Sequence, residues 1–130
     1  MKKITLLLVI IFTFLFSTTS WGEWSYVEEN VSGSKFYYDK DRIRKSGKFI
    51  YFWELQVFRN PYKFGGLSST RYVQLECSIF RFNWLKFQLY NKSMGEGKPK
   101  IDVNRKEEWE YAQPNSSIDF MYNKICEEHQ

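Results

Sequence analysis

The eleven residues from Lys48 to Phe58 alternate with a period of two. Phe49, Tyr51, Trp53, Leu55 and Val57 fall on one side, and Ile50, Phe52, Glu54, Gln56 and Phe58 on the other. Wound as a helix, this run would be apolar nearly all round, with branched and aromatic side chains crowding each preceding turn. Extended, successive side chains point to opposite faces, so the run predicts a strand with two unlike faces. The wholly apolar face is expected to be core. The mixed face is expected to be the half-covered back of an antiparallel sheet.

Shorter segments repeat the pattern. Glu23 to Glu28, with Trp24, Tyr26 and Val27, predicts a first strand. Gly33 marks a turn over residues 30–34, and Lys35 to Asp39 completes a hairpin. Asp39 or Asp41 is placed to cap a single helical turn, with Ile43 as its buried residue and Gly47 restarting the chain. Asn60 to Ser69 reads as a loop from its Asn-Pro, Gly-Gly and Ser-Ser pairs. Arg71 to Cys77 puts Val73, Leu75 and Cys77 on one side. Phe80 to Tyr90 is a further strand, with Leu85, Phe87 and Leu89 on one face and Phe82, Trp84, Lys86, Gln88 and Tyr90 on the other. A turn must fall near Ser78, where no Gly or Pro stands; a bulge is one solution. Residues 91–104 read as a long loop, and Glu108 to Tyr111 as a last short strand ended by Pro114. Asn115, Ser116 and Ser117 offer capping side chains, and Ile118, Met121, Tyr122 and Ile125 follow at helical spacing. The fold class is α+β: an antiparallel β-sheet with a C-terminal helix on one face.

The first 22 residues stand apart from this domain. Lys2 and Lys3 precede an apolar run from Ile4 to Phe16, and Ser20-Trp21-Gly22 gives a small-x-small pattern suited to signal peptidase, with cleavage after Ser20 as an alternative. A membrane anchor is the competing reading, but a span takes about 20 apolar residues, more than this run holds. Residues 1–22 are therefore expected to be a signal peptide and residues 23–130 one domain, exported to the periplasm or the outer cell surface of a bacterium. No stable membrane span is expected after cleavage. Without Lys2 and Lys3 the chain carries 17 basic and 15 acidic residues, a near balance that speaks against nucleic-acid binding driven by bulk charge.

An even pair of cysteines in an exported chain, Cys77 and Cys126, reads as a disulfide, which would staple the C-terminal helix to the sheet. Two buried thiols are the alternative. Catalytic chemistry finds little purchase. The single histidine, His129, lies one residue from the end of the sequence, and paired cysteines offer neither a nucleophile nor a metal ligand. No phosphate-binding or nucleophile-elbow motif occurs. Catalytic residues, cofactor sites and metal sites are thus all expected to be none. Glu54 and Glu76 are the carboxylates placed for acid–base work, but each is better read as facing solvent or pairing with a cross-strand arginine such as Arg71 or Arg81.

Two surfaces are candidates for binding. The basic cluster Lys40, Arg42, Arg44, Lys45 and Lys48 would steer encounter with acidic partners, although Asp39 and Asp41 dilute its field. The mixed sheet face, with Phe52, Phe58, Phe82, Trp84 and Tyr90 among Glu54, Gln56, Lys86 and Gln88, would mark a partner or dimer interface if loops leave it open. The candidate binding residues are Phe82, Trp84, Lys86, Arg42, Arg44 and Lys45.

These residues also carry a resemblance. Trp24; Phe36-Tyr37-Tyr38-Asp39 followed by Arg42-Ile43-Arg44-Lys45-Ser46-Gly47; Phe52-Trp53-Glu54-Leu55; Cys77 with Arg81-Phe82 and Leu85; Tyr90 with Met94-Gly95-Glu96-Gly97; Trp109 with Pro114; and Lys124-Ile125-Cys126 occur in that order. Together they span nearly the whole domain, and the pattern resembles the bacterial surface-adhesin E (protein E) family. The resemblance implies an antiparallel sheet, a C-terminal helix tethered by a disulfide, export, and adhesion to host proteins such as vitronectin or laminin. The expected function is a non-enzymatic exported binding domain contacting extracellular or host proteins, or itself as a homodimer. A periplasmic accessory or structural protein with the same fold is the alternative.

Overall fold

The computed structural model describes residues 23–129. The expected signal segment lies outside the described residues. The architecture is organised around two long antiparallel strands, β4 (Phe49–Tyr62) and β5 (Gly66–Glu76). On one side of them lie β2 (Lys35–Asp39) and β1 (Trp24–Glu29); on the other lie β6 (Arg81–Tyr90) and β7 (Ile101–Asn104). A short β3 (Arg44–Ser46) also pairs with β4 beyond the end of β2. Among the described residues this makes one seven-stranded antiparallel sheet, with helix α1 (Ser117–His129) packed on one face.

The helix defines the front of the sheet. Phe36, Tyr38, Ile50, Phe52, Val73, Leu75 and Phe82 form a buried cluster with Met121, Tyr122, Ile125 and Cys126. The Tyr122 ring meets Phe52 and Phe82 edge-on, with centroids 5.5 and 5.1 Å away. Each fully buried apolar side chain here contributes about 1.5–3 kcal/mol relative to exposure. Ser116 starts the helix: its hydroxyl accepts from the Asp119 N–H, while the Asp119 carboxylate accepts from the Asn115 N–H. Cys77 and Cys126 are bonded, with Cα atoms 5.8 Å apart. The bond closes a separation of 49 residues and holds the helix against the end of β5.

Leu55 is fully buried on the face expected to be core, but elsewhere along β4 the two faces are the reverse of the expected ones. Ile50, Phe52 and Glu54 are buried under the helix, whereas Phe49, Tyr51, Trp53 and Val57 are only half-buried on the opposite side. The helix brings aliphatic residues and one tyrosine, and Ile50 and Phe52 offer purely apolar surface to meet them. Tyr51 and Trp53 carry polar tips that a half-exposed face accommodates.

Four further differences are local. Strand β4 runs past Asn60-Pro61 to Tyr62, its pairing with β5 interrupted between Val57 and Tyr62. The run from Arg81 to Tyr90 is bulged: Tyr72 pairs with Lys86 but Val73 pairs with Trp84, so Leu85 has no partner and the alternation shifts. Phe82 and Trp84 therefore face front, while Lys86, Gln88 and Tyr90 face back. The unmarked turn at Cys77–Phe80 is made by Phe80 itself, at φ 49°. The expected last strand reduces to a single bridge between Glu110 and Phe82, and β7 forms inside the segment read as loop.

Candidate functional site

Among the described residues no α-helix covers the back of the sheet, and its two ends are closed by loops. At one end the segment after β6 folds over Leu55 and Thr70: the Gly95 N–H donates to Ser68 Oγ at 2.9 Å, and that hydroxyl donates to the Lys92 carbonyl. Gly95 sits at φ 66°, and a Cβ there would stand 3.3 Å from Thr70 Cγ2, so the loop lies as low as a glycine allows. At the other end the Glu108 N–H donates to Asn83 Oδ1 and brings Trp109 onto the face.

Between these covers lies a continuous row of aromatic rings. Trp53 contacts Tyr72 with centroids 5.0 Å apart, Tyr72 stacks on Tyr51 at 6.2 Å, Tyr51 meets Phe49 at 6.4 Å, and Phe49 stacks on Trp109 at 5.8 Å. The row follows from register. Trp53 is directly opposite Tyr72, and Tyr51 is opposite Gln74, one step along. Tyr26 and Tyr37 form a separate edge-to-face pair on the same side, at 5.5 Å.

Cations border the row. The Arg44 guanidinium lies 4.8 Å from the Tyr51 ring centre, Lys48 Nζ 5.4 Å from Phe49, and the Arg81 guanidinium 4.2 Å from Trp109. Lys86 stands opposite Tyr72 and reaches Asp102 at 3.5 Å. Gln74 donates to the Tyr51 hydroxyl at 3.0 Å, which fixes the ring. Glu76 accepts from Arg81 at 2.8 Å and lies 3.4 Å from Lys48. The Arg81 hydrogen bond, with Lys48 behind it, holds the Glu76 carboxyl below its usual range. The surface is thus aromatic and cationic at its rim, with its rings in mutual contact.

The front of the sheet uses its charges differently. Glu54 is buried, pairs with Arg71 and accepts from the Tyr122 hydroxyl at 3.1 Å. Burial pushes its carboxyl up, against the opposing pull of Arg71 and Tyr122. Burial, together with the Glu54 charge, raises the Tyr122 hydroxyl well above its ordinary value. Arg71 then lies 4.1 Å from the centre of the Trp84 ring, and Arg105 lies 4.4 Å from it. Each carboxylate has the cross-strand arginine that the sequence offers it. Both are buried rather than solvated, and they stand on opposite sides of the sheet, so they do not converge on one acid–base site.

The sequence-derived binding residues are scattered by this geometry. Phe82 is 7% exposed beneath Tyr122, and Trp84 lies between two guanidiniums on the front, so neither belongs to an open aromatic face. Arg42 is bound to Asp39, and Lys45 sits on the exposed strand β3 opposite Ile50. Arg44 and Lys86 do meet the aromatic row. The residues that form it (Tyr51, Trp53, Tyr72, Phe49 and Trp109) were assigned from sequence to the core, to a strand or to an edge. Cys77, bonded to the helix, is the one signal that could have oriented the sheet. Among the described residues, no group of three His, Cys, Asp or Glu is placed to hold a metal ion, and no helix is long and apolar enough to cross a membrane.

Comparisons with known proteins agree on the fold. The structure of Haemophilus influenzae protein E superposes with a TM-score of 0.58 at 15% identity, over 86% of this chain and 89% of that one. Its selenomethionine form gives 0.60 at 16%, over 85% and 90%. Protein E from non-typeable Haemophilus influenzae gives 0.56 at 15%, over 85% and 79%. No curated protein sequence matches the chain. The surface-adhesin protein E model matches residues 24–127, from the first strand through nearly all of the tethered helix, and the chain belongs to that family.

Proposed function

We propose that the chain is a non-enzymatic exported binding domain that holds an extracellular protein against the helix-free face of its sheet. Family membership supports an adhesin-type surface protein. The observation that carries the finer reading is the row Trp53–Tyr72–Tyr51–Phe49–Trp109, with Arg44 and Lys86 at its margin. Trp, Tyr and Arg are the residues on which protein-binding energy concentrates, because large rigid rings bury much area at little entropic cost. These rings are already ordered by one another and by Gln74, so association need not freeze them.

The test is binding to immobilised vitronectin and laminin, the partners the sequence resemblance implies. Trp53→Ala with Tyr72→Ala is expected to weaken binding at least about 30-fold, the scale of a central hot spot. Arg44→Ala is expected to weaken it less and to reduce its salt dependence. Binding by the wild type that is indifferent to all three changes would overturn the proposal. Protease shaving of intact cells sets the compartment: digestion supports a role outside, and protection until the outer membrane is opened would favour the periplasmic accessory role instead.

A further inference from the structure

The β4–β5 hairpin ends in a turn whose residues serve neither the core nor the aromatic row. Phe64 is 68% exposed and Tyr62 47% exposed. Tyr62 is held by stacking on Phe58 at 5.2 Å, with Lys63 Nζ 5.8 Å from its ring centre. Phe64 sits at φ 58°, in the left-handed region, ahead of Gly65 at φ 74°. A non-glycine residue is uncommon there, and a bulky one more so. Phe80 has a similar backbone, but its ring packs on the core, which accounts for it. The Phe64 ring gains no such burial.

Charge adds a second, independent sign. No Asp or Glu occurs between Glu54 and Glu76, a stretch that contains Arg59, Lys63 and Arg71. Among the described residues, neither Arg59 nor Lys63 has an ion-pair partner. Lys35, opposite Val57, and Lys92, whose carbonyl binds Ser68, stand at the same end of the sheet. Glu29 and Glu96 are also at this end and leave an excess of positive charge.

We propose that this hairpin tip docks the protein on an anionic phospholipid surface, with Phe64 and Tyr62 entering the headgroup boundary and Lys63 and Arg59 meeting lipid phosphates. Aromatic rings beside basic side chains suit that boundary, where apolar and charged groups are satisfied within a few ångströms of each other. The tip is convex. A protein partner would need a matching groove, whereas a fluid headgroup layer closes around a protrusion. The inference concerns a different part of the molecule from the proposed protein-binding face, and either can fail without the other.

The experiment is flotation of the chain, purified as the exporting cell processes it, with vesicles of phosphatidylcholine alone or with about one third phosphatidylglycerol. Flotation with the anionic vesicles only is expected. Phe64→Asn, which suits the left-handed turn, is expected to reduce it about tenfold with the thermal midpoint unchanged. Arg59→Glu with Lys63→Glu is expected to abolish it, and Trp53→Ala to leave it intact. No flotation with either vesicle overturns the proposal, as does equal flotation of wild type and Phe64→Asn. Loss of flotation in Trp53→Ala would transfer lipid contact to the aromatic row and also overturn it.

Discussion

Phe52 and Trp53 are consecutive in β4 and stand on opposite sides of one sheet. Phe52 is fully buried against Tyr122 of the helix. Trp53 is half-buried against Tyr72. Both sides are rich in aromatic residues, so ring content does not separate them. What separates them is how polar groups are handled. On the front, Glu54, Arg71 and the Tyr122 hydroxyl satisfy one another in a dry layer. On the back, Tyr51, Gln74 and the rim cations keep part of their surface toward solvent. One side is built to be closed once, by the protein's own helix, and the other to remain open.

The sharpest way to break this comparison is to truncate the two neighbours in turn. Phe52→Ala opens a cavity in the core under the helix and is expected to cost about 3–5 kcal/mol of unfolding free energy. Trp53→Ala removes a half-exposed ring and is expected to cost about 1 kcal/mol, near the average substitution. Denaturant unfolding of both variants measures the difference, and equal losses would mean that the back is a second core. Next in size is the disulfide. Replacing Cys77 and Cys126 together by Ser is expected to cost about 4 kcal/mol, from the chain entropy restored to the unfolded state over a 49-residue separation. Tryptophan emission and helical dichroism should then report a loosened front. An unchanged transition would show that Met121, Tyr122 and Ile125 hold the helix unaided.

The smallest effect lies in pH dependence, where the two faces should differ in sign. The raised Glu54 carboxyl binds its proton more tightly folded than unfolded. Its charged form therefore costs stability at neutral pH, a cost relieved as pH falls through the raised value toward the ordinary carboxylate range. The lowered Glu76 carboxyl contributes stability above the ordinary range, and this is lost as pH falls through its lowered value. Glu54→Gln should remove the gain on mild acidification, and Glu76→Gln the loss on stronger acidification. A series of unfolding curves from pH 7 to pH 3 checks both, and one shared direction would contradict the assignment.

Much of the fold was legible in the residues. The alternation of β4, the capped helix, the cysteine pair and the two glutamate–arginine pairs all follow from local pattern. The parity of the faces did not. A one-residue change in register between β4 and β5 exchanges core and surface for a whole strand, and register depends on a hairpin tip whose Asn-Pro and Gly-Gly pairs fit several turn geometries. Apolar count then favoured the wrong face, because Tyr and Trp score as core residues although their polar tips suit half-exposure. The unpaired Leu85 produced a second slip, turning Phe82 and Trp84 to the front while Lys86 stayed with the back. Strand β7 went unseen because Ile101–Asn104 follows a Gly- and Pro-marked stretch and gains its order from pairing with β6. A part-exposed aromatic sheet face was therefore anticipated in kind but placed on the other side of the sheet.

The order of strands also has a bearing on how the chain matures. From β4 through β7 each strand pairs with its sequence neighbour, so these contacts close over short loops and form quickly. The helix engages partners far away in the chain: Glu54 lies 68 residues before Tyr122, and Tyr38 lies 90 before Glu128. Contact separation alone favours sheet assembly ahead of helix docking. In an interval with the sheet formed and the helix undocked, Ile50, Phe52, Val73, Leu75 and Phe82 would face solvent as one apolar plane. A newly exported chain is most open to misassembly, and to the help of a holding chaperone, in that interval before its own tail covers it.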